Sequence, residues 1–127
     1  MWVEDDCDIL DACAELLRLD GHDVTTAISV EQARALLATR SFDALITDYN
    51  LGAGPTGEDL LVFAANEFPA PWRILYSASD FRGLPGANEI VSKHSGVANL
   101  LGAVRNLERA DASGQAHPAS RGSRKIR

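Results

Sequence analysis

One stretch determines the fold of this chain: Ala44-Leu45-Ile46-Thr47-Asp48-Tyr49-Asn50. It is a short apolar run that ends in an aspartate, and a glycine-rich segment, residues 52–57, follows it. An apolar run of this length between turn residues predicts a buried strand. Ligands of parallel α/β sheets bind outside the carboxyl ends of the strands, and Asp48 lies at such an end.

Strands and helices alternate along the rest of the chain. The sequence predicts strands at residues 1–3, 23–27, 42–47, 72–77 and 89–92. It predicts helices at residues 8–20, 30–39 and 58–67, and a last helix with the apolar stripe Val97, Leu100, Leu101, Val104 and Leu107. Between residues 78 and 88, Gly83, Pro85 and Gly86 leave room for at most one turn of helix. The alternation predicts a parallel sheet with helices on both faces.

Two of the helices carry further signals. The first has one apolar stripe that we expect to face inward, made of Ile9, Ala12, Cys13, Leu16 and Leu17. The second begins with Ser29-Val30-Glu31-Gln32, the pattern of a capping box. Both signals support helical structure in the first third of the chain.

The length and charge bound the domain organisation. A chain of 127 residues suits one domain, which we predict at residues 1–110, with a disordered basic tail at residues 111–127. Four of the 12 basic residues, but none of the 18 acidic ones, lie in residues 113–127. The rest of the chain is therefore acidic, which makes nucleic acid an unfavourable main partner.

The N-terminal segment and the cysteines indicate the compartment. Acidic residues occupy positions 4–6, where a signal peptide needs basic and then apolar residues, and no apolar run approaches the roughly 20 residues of a membrane span. Cys7 and Cys13 lie on one predicted helix, about 9 Å apart along its axis, which is beyond disulfide reach. We therefore expect a cytoplasmic protein, not embedded in a membrane, with reduced cysteines.

Polar residues lie at the carboxyl ends of four of the predicted strands. Glu4 and Asp5 follow the first strand, Asp48 the third, and Lys93 the fifth, while Ser77 ends the fourth. Because the carboxyl ends of parallel strands meet at one edge, we expect these side chains to converge. Carboxylates suit Mg²⁺, and a hydroxyl and an ammonium suit the oxygens of a phosphoryl group. The set predicts a site that holds Mg²⁺ and a phosphoryl group on an aspartate.

These motifs resemble the receiver domain of two-component response regulators, in particular the single-domain, chemotaxis-regulator-like type. The resemblance covers about residues 1–110 and consists of Val3-Glu4-Asp5-Asp6, Asp48, Ser77-Ala78 and Lys93 in this order. It implies a flavodoxin-like, doubly wound, five-stranded parallel sheet of order 2-1-3-4-5. The short segment after Ser77 implies that the fourth helix of this fold is shortened or missing.

The resemblance also implies the role of each site residue. Asp48 would be the phosphoacceptor, Ser77 the switch hydroxyl and Lys93 the phosphate-binding lysine. The Mg²⁺ ligands would be Glu4, Asp5, Asp48 and the backbone carbonyl of Asn50. A histidine kinase or a histidine phosphotransfer protein would supply the phosphoryl group, and the output would be contact with a further protein. The chain would not be an enzyme beyond its own Mg²⁺-dependent phosphorylation and dephosphorylation.

Three departures from the family pattern keep an alternative open. Ile90 stands where the family usually has an aromatic switch residue, His94 replaces the usual proline after the lysine, and the segment from Ser77 to Lys93 is short. A pseudo-receiver, which binds proteins independently of phosphorylation, is therefore the second hypothesis. An aspartyl-phosphate hydrolase is a third, but such enzymes generally need an acid at the position of Asn50.

Simpler structural interpretations compete at each residue. Asp48 could cap a helix or belong to a loop, Glu4 and Asp5 could cap the first helix, Ser77 could be a core hydroxyl and Lys93 a surface lysine. The occurrence of all five in this order favours the site. The first strand is also short for a central strand, from which we expect either an upstream start or a marginally stable domain.

Overall fold

The computed structural model describes residues 1–79 and 81–112, with the backbone alone at residue 95 and residues 108–112. Its strands are β1 (Trp2–Val3), β2 (Thr26–Ala27), β3 (Ala44–Thr47), β4 (Trp72–Ser77) and β5 (Glu89–Ser92). Its helices are α1 (Cys7–Leu19), α2 (Val30–Thr39), α3 (Gly57–Glu67) and α4 (Val97–Ala112). All pairings are parallel and the strand order is β2-β1-β3-β4-β5, which confirms the predicted flavodoxin-like, doubly wound sheet.

Each face of the sheet carries its own apolar core. Alternate residues of β1 point to opposite faces, so that Val3 joins the core under α2 and α3 while Trp2 joins the core under α1 and α4. Both side chains are almost completely buried. β3 contributes to both cores in the same way, with Leu45 on one face and Ile46 on the other. The sequences of the central strands are therefore continuously apolar, because both of their faces are covered.

The bounds of β4 and β5 agree with the prediction, whereas β2 and β3 are shorter than predicted. The predicted inward stripe of α1 is wrong in part. Leu10, Ala14 and Leu17 face the core, while Ile9 and Leu16 are 43% and 40% exposed. The spacing of apolar residues on α1 is consistent with more than one stripe, and packing against the sheet selects the one that contains Ala14, whose small side chain allows close approach.

The capping box predicted at Ser29 forms only in part. The Ser29 hydroxyl accepts a hydrogen bond from the Gln32 amide at 3.1 Å, but the Gln32 side chain accepts from the amide of Ile28 and not from that of Ser29. A complete capping box occurs instead at α3, where Thr56 and Asp59 satisfy each other's backbone amides. This box fixes the start of α3 directly after the glycine-rich loop.

An irregular segment takes the place of a helix between β4 and β5, and residues 81–88 contain no helix. Arg73, at the second position of β4, holds this segment: its Nε donates to the Gly86 carbonyl at 2.7 Å, and its amide donates to the Asn88 side chain at 2.8 Å. Phe81 and Leu84 pack from the same segment against the core under α3. The prediction that the fourth helix is shortened or missing therefore holds for the described residues.

The last helix, α4, ends at Ala112, two residues beyond the predicted domain boundary. The rest of the predicted basic tail, residues 113–127, lies outside the described residues. Within the part of the chain that the structure describes, no helix is both long and apolar enough to span a bilayer. Cys7 and Cys13 are both free thiols.

Replacement of Gly86 tests how closely the segment between β4 and β5 packs against α3. The φ of Gly86 is +85°, and an added Cβ would come within 2.6 Å of the backbone of Leu61 and Val62 in α3. We expect Gly86→Ala to lower the free energy of unfolding by about 2 kcal/mol or more, through strain and overpacking. Gly83→Ala is the matched control, because an added Cβ there meets no atom within 4 Å. Urea unfolding checks both variants, and equal effects would contradict the close packing.

Candidate functional site

Three carboxylates meet at the carboxyl edge of the sheet. One oxygen atom from each of Glu4, Asp5 and Asp48 lies within 4.8 Å of the others. The register of the strands produces this cluster: Val3 pairs with Thr47, so the residues that follow them leave the sheet side by side. The Asp48 amide donates to the Val3 carbonyl at 3.1 Å and continues the ladder to the site itself.

Lys93 brings a positive charge to the same point. β5 ends at Ser92, and the chain then forms a 3-10 turn over Lys93–Ser95. The Lys93 Nζ atom lies 3.1 Å from Asp48 Oδ2 and 3.5 Å from Glu4 Oε2. Partial burial by itself would lower the pKa of Lys93, but the hydrogen bond and charge of Asp48, together with Glu4, outweigh it and raise the pKa. Lys93 is therefore held as an ammonium.

The Asp48 carboxylate is held in one orientation by two donors. Oδ2 accepts from Lys93, and Oδ1 accepts from the amide of Tyr49 at 2.8 Å. Its side chain is 13% exposed and therefore stays accessible from solvent. A nucleophilic oxygen fixed in this way can attack an electrophile that arrives from the open side.

Glu4 is the most deeply buried acid of the site, with a side chain 4% exposed. Burial is the largest cause that raises its pKa, to about 7, and the neighbouring charge of Asp48 adds to this effect while Lys93 opposes it. Near neutral pH the carboxyl is therefore divided between its acid and its carboxylate forms. A cation that binds at this point would favour the carboxylate form.

The donor atoms fit Mg²⁺. All three acids offer hard oxygen ligands, and because the oxygen atoms lie within 4.8 Å of one another they are candidate ligands of one ion. Gly52, in the loop after β3, comes near Asp5, since an added Cβ would lie 3.4 Å from Asp5 Oδ2. Asn50 lies on the same loop and its side chain is exposed. Its backbone carbonyl as a fourth protein ligand stays a prediction.

Ser77 lies at the same edge of the sheet, on the strand next to β3. Leu75 pairs with Thr47, so Ser77 stands one step beyond the level of Asp48. The Ser77 side chain is buried, and its Oγ accepts from the amide of Ser79 at 3.2 Å. The hydroxyl keeps its own hydrogen for donation. The structure thus brings Glu4, Asp5, Asp48 and Lys93 into one cluster and places Ser77 beside it.

Sequence reasoning missed two contacts that shape the site. Gly57, the first residue of α3, approaches Asp48 so closely that an added Cβ would lie 1.9 Å from the Asp48 carbonyl oxygen. The Tyr49 ring packs on Phe81 with the ring centroids 5.0 Å apart. A glycine at the start of a capped helix was the one available signal for Gly57, and no sequence pattern indicates the ring contact.

The same fold occurs in solved structures of receiver domains. The response regulator TrrA from Thermotoga maritima, solved in complex with Mg²⁺ and BeF, is 24% identical, with a TM-score of 0.77 over 84% of this chain and 95% of that one. The structure of the histidine kinase ThkA in complex with TrrA matches with 24% identity and a TM-score of 0.76, over 84% of this chain and 94% of the other.

Two further solved structures share this fold. The receiver domain of NtrX from Brucella abortus is 26% identical, with a TM-score of 0.71 over 84% of this chain and 96% of that one. A response regulator from Burkholderia pseudomallei with a phosphorylated aspartic acid is 19% identical, with a TM-score of 0.73 over 89% of this chain and 70% of that one. Neither the protein-family models nor the curated proteins give a match.

The chain therefore has the fold of a response regulator receiver domain. Within that fold it is a variant in which an irregular segment, held by Arg73, stands between β4 and β5.

The raised pKa of Glu4 predicts a pH-dependent stability in metal-free solution. Between pH 4.5 and about 7 the folded protein retains a proton at Glu4 that the unfolded chain releases. The free energy of unfolding contributed by Glu4 is thus fully present below pH 4.5 and is lost as the pH rises to about 7. Glu4→Gln removes this loss, so we expect the variant to gain stability relative to the wild type between about pH 5 and about pH 8. Urea unfolding at both pH values checks the gain, which parallel pH profiles would contradict.

Proposed function

We propose that this protein is a phosphoacceptor of a two-component phosphorelay, which receives a phosphoryl group on Asp48 and signals by contact with another protein. The observation that carries the proposal is the placement of Lys93 between Asp48 and Glu4, within an acid cluster that suits Mg²⁺. A lone strand-end aspartate has many uses, but phosphoryl transfer needs this combination of nucleophile, cation site and fixed ammonium.

The proposed reaction is an in-line transfer. A carboxylate oxygen of Asp48 forms a bond to the phosphorus, while the bond from phosphorus to the donor breaks and its electron pair stays with the donor. Lys93 and the Ser77 hydroxyl donate to the equatorial oxygens as negative charge develops there. Mg²⁺ held by Glu4, Asp5 and Asp48, with the predicted Asn50 carbonyl, would neutralise part of this charge.

A histidine kinase or a histidine phosphotransfer protein is the proposed donor. TrrA, which shares the fold, is seen in complex with the histidine kinase ThkA. Here α1 begins two residues after Asp5 and exposes an apolar face of Ile9, Ala12, Leu16 and Leu19. This α1 face is flanked by exposed acidic residues, Asp8, Asp11 and Glu15. An apolar surface this close to the acceptor suits a partner that must dock beside Asp48.

The contact between Tyr49 and Phe81 offers a route from the site to the segment after β4. The Tyr49 amide binds the Asp48 carboxylate, and the Tyr49 ring packs on Phe81. Phe81 and Leu84 also line a cavity of about 410 Å³ beside β5, together with Ile90. Phosphorylation adds about −1.5 to −2 charge at Asp48, and we expect the response to appear in residues 81–88. An aromatic residue at position 90 is not needed for this route.

Small-molecule phosphorylation tests the proposed function directly. With acetyl phosphate and Mg²⁺, the native chain should gain the mass of one phosphoryl group, because Asp48 would accept it and Lys93 and Ser77 would donate to its oxygens. Asp48→Asn should gain none. Asp11→Asn, which removes an exposed carboxylate from α1, is the matched control and should be labelled like the native chain. Intact-mass spectrometry with and without EDTA measures the label.

Other outcomes of this experiment identify the other hypotheses. A native chain that stays unlabelled would contradict the proposal and support the pseudo-receiver. Rapid release of free phosphate, with no lasting label, would indicate an aspartyl-phosphate hydrolase. Label on Asp48→Asn would place the acceptor elsewhere.

Replacement of Phe81 tests the proposed route of the response. In the native chain, phosphorylation should change the amide chemical shifts of residues 81–88. Phe81→Ala removes the ring contact and should reduce these changes by at least about half, with little effect on the labelling of Asp48. Phe81→Leu, which retains much of the buried apolar surface, separates the aromatic contact from general packing. Shift changes confined to other surfaces of the native protein would contradict the route.

A further inference from the structure

His94 joins two segments that the sheet leaves separate. The pairing of β4 with β5 ends at Ser77 and Ser92, and the two chains then diverge. Beyond that point, the His94 Nε2 atom lies 2.7 Å from the carbonyl oxygen of Ala78. A carbonyl oxygen only accepts, so Nε2 carries the hydrogen and donates it. Among the described residues, this bond links the two segments just past the point where the pairing of β4 with β5 ends.

Both ends of the bond adjoin a residue proposed to contact the phosphoryl group. Ala78 follows Ser77, and His94 follows Lys93. The His94 backbone is itself anchored, because its amide donates to the Ser92 hydroxyl at 3.1 Å and the 3-10 turn fixes the chain there. The Ala78 carbonyl and the Ser79 amide belong to one peptide unit, and that amide donates to Ser77 Oγ at 3.2 Å. A single peptide unit thus connects the His94 imidazole to the Ser77 Oγ atom.

We propose that His94 is a positioning residue that holds the Ser77 hydroxyl and the Lys93 ammonium at a fixed separation, so that both donate to one phosphoryl group. The inference rests on the proposed function and adds a chain-specific part to it. Donors that are placed in advance stabilise a developing charge without reorganisation at the moment of reaction. The segment after β4 contains no helix in residues 81–88 that could hold Ser77 from the other side, so the side-chain bond takes on that task.

The first test measures phosphorylation of His94 variants by acetyl phosphate and Mg²⁺. We expect His94→Ala to slow the labelling of Asp48 about three- to tenfold, the range that one net hydrogen bond supports. His94→Gln retains an N–H donor of similar reach and should restore the rate to within about twofold. Asn99→Ala, an exposed residue in the first turn of α4, is the matched control and should leave the rate unchanged. Equal melting temperatures establish that each variant is folded.

A second measurement does not depend on phosphoryl chemistry. In the unphosphorylated protein, His94→Ala should speed amide hydrogen exchange at Ser79 and in residues 81–88, and His94→Gln should reverse the change. If the native chain is labelled and His94→Ala is labelled equally fast, the positioning role is overturned and the proposed function stands. If the native chain takes no label, the proposed function is overturned, and unchanged exchange in His94→Ala overturns the link between the two segments as well.

Discussion

The site depends on an electrostatic constraint at the end of β1. Two acids follow that strand, and the parallel register sets the carboxylate of Asp48 beside them. Burial raises the pKa of Glu4, and the like charge of Asp48 raises it further, because like charges repel strongly where water is scarce. Lys93 offsets one charge. Three ionised carboxylates and one ammonium leave an excess of two negative charges at the site, which a bound divalent cation would neutralise.

The arrangement of the sheet could be predicted because few residues decide it. Alternation of strands and helices gives parallel pairing, and parallel pairing collects the strand ends at one edge, so Glu4, Asp48 and Lys93 had to approach one another. The face of α1 could not be predicted in the same way. Its apolar residues fit more than one stripe, and contact with the sheet decides between Leu10 and Ile9.

Loop contacts were beyond sequence reasoning for a different reason. The approach of Gly57 to the Asp48 carbonyl and the bond from His94 to Ala78 depend on how two loops meet in space. No periodic pattern encodes such a meeting. The sequence did indicate unusual residues at position 94 and in the segment after Ser77, but the two irregularities could be connected only once their positions were known.

The segment between β4 and β5 shows how a fold can omit a helix. A helix satisfies its own backbone and covers a sheet face by apolar burial. Here Arg73 holds the loop in two ways. Its guanidinium donates to the Gly86 carbonyl, and its backbone carbonyl accepts a hydrogen bond from the Asn88 amide. Polar anchors of this kind are directional, so the loop is held at defined points along its length. Between those points it leaves a cavity beside β5.

The bond between α4 and α1 has a consequence for the layout of the molecule. Arg105 binds both carboxylate oxygens of Asp20, at 2.6 and 3.0 Å, and Asp20 ends the helix that starts at the acid cluster. α4 therefore runs back across the sheet and delivers the polypeptide to the edge remote from Asp48. A label attached to the last turn of α4 would therefore lie away from the acid cluster and leave Asp48 open to a visiting protein.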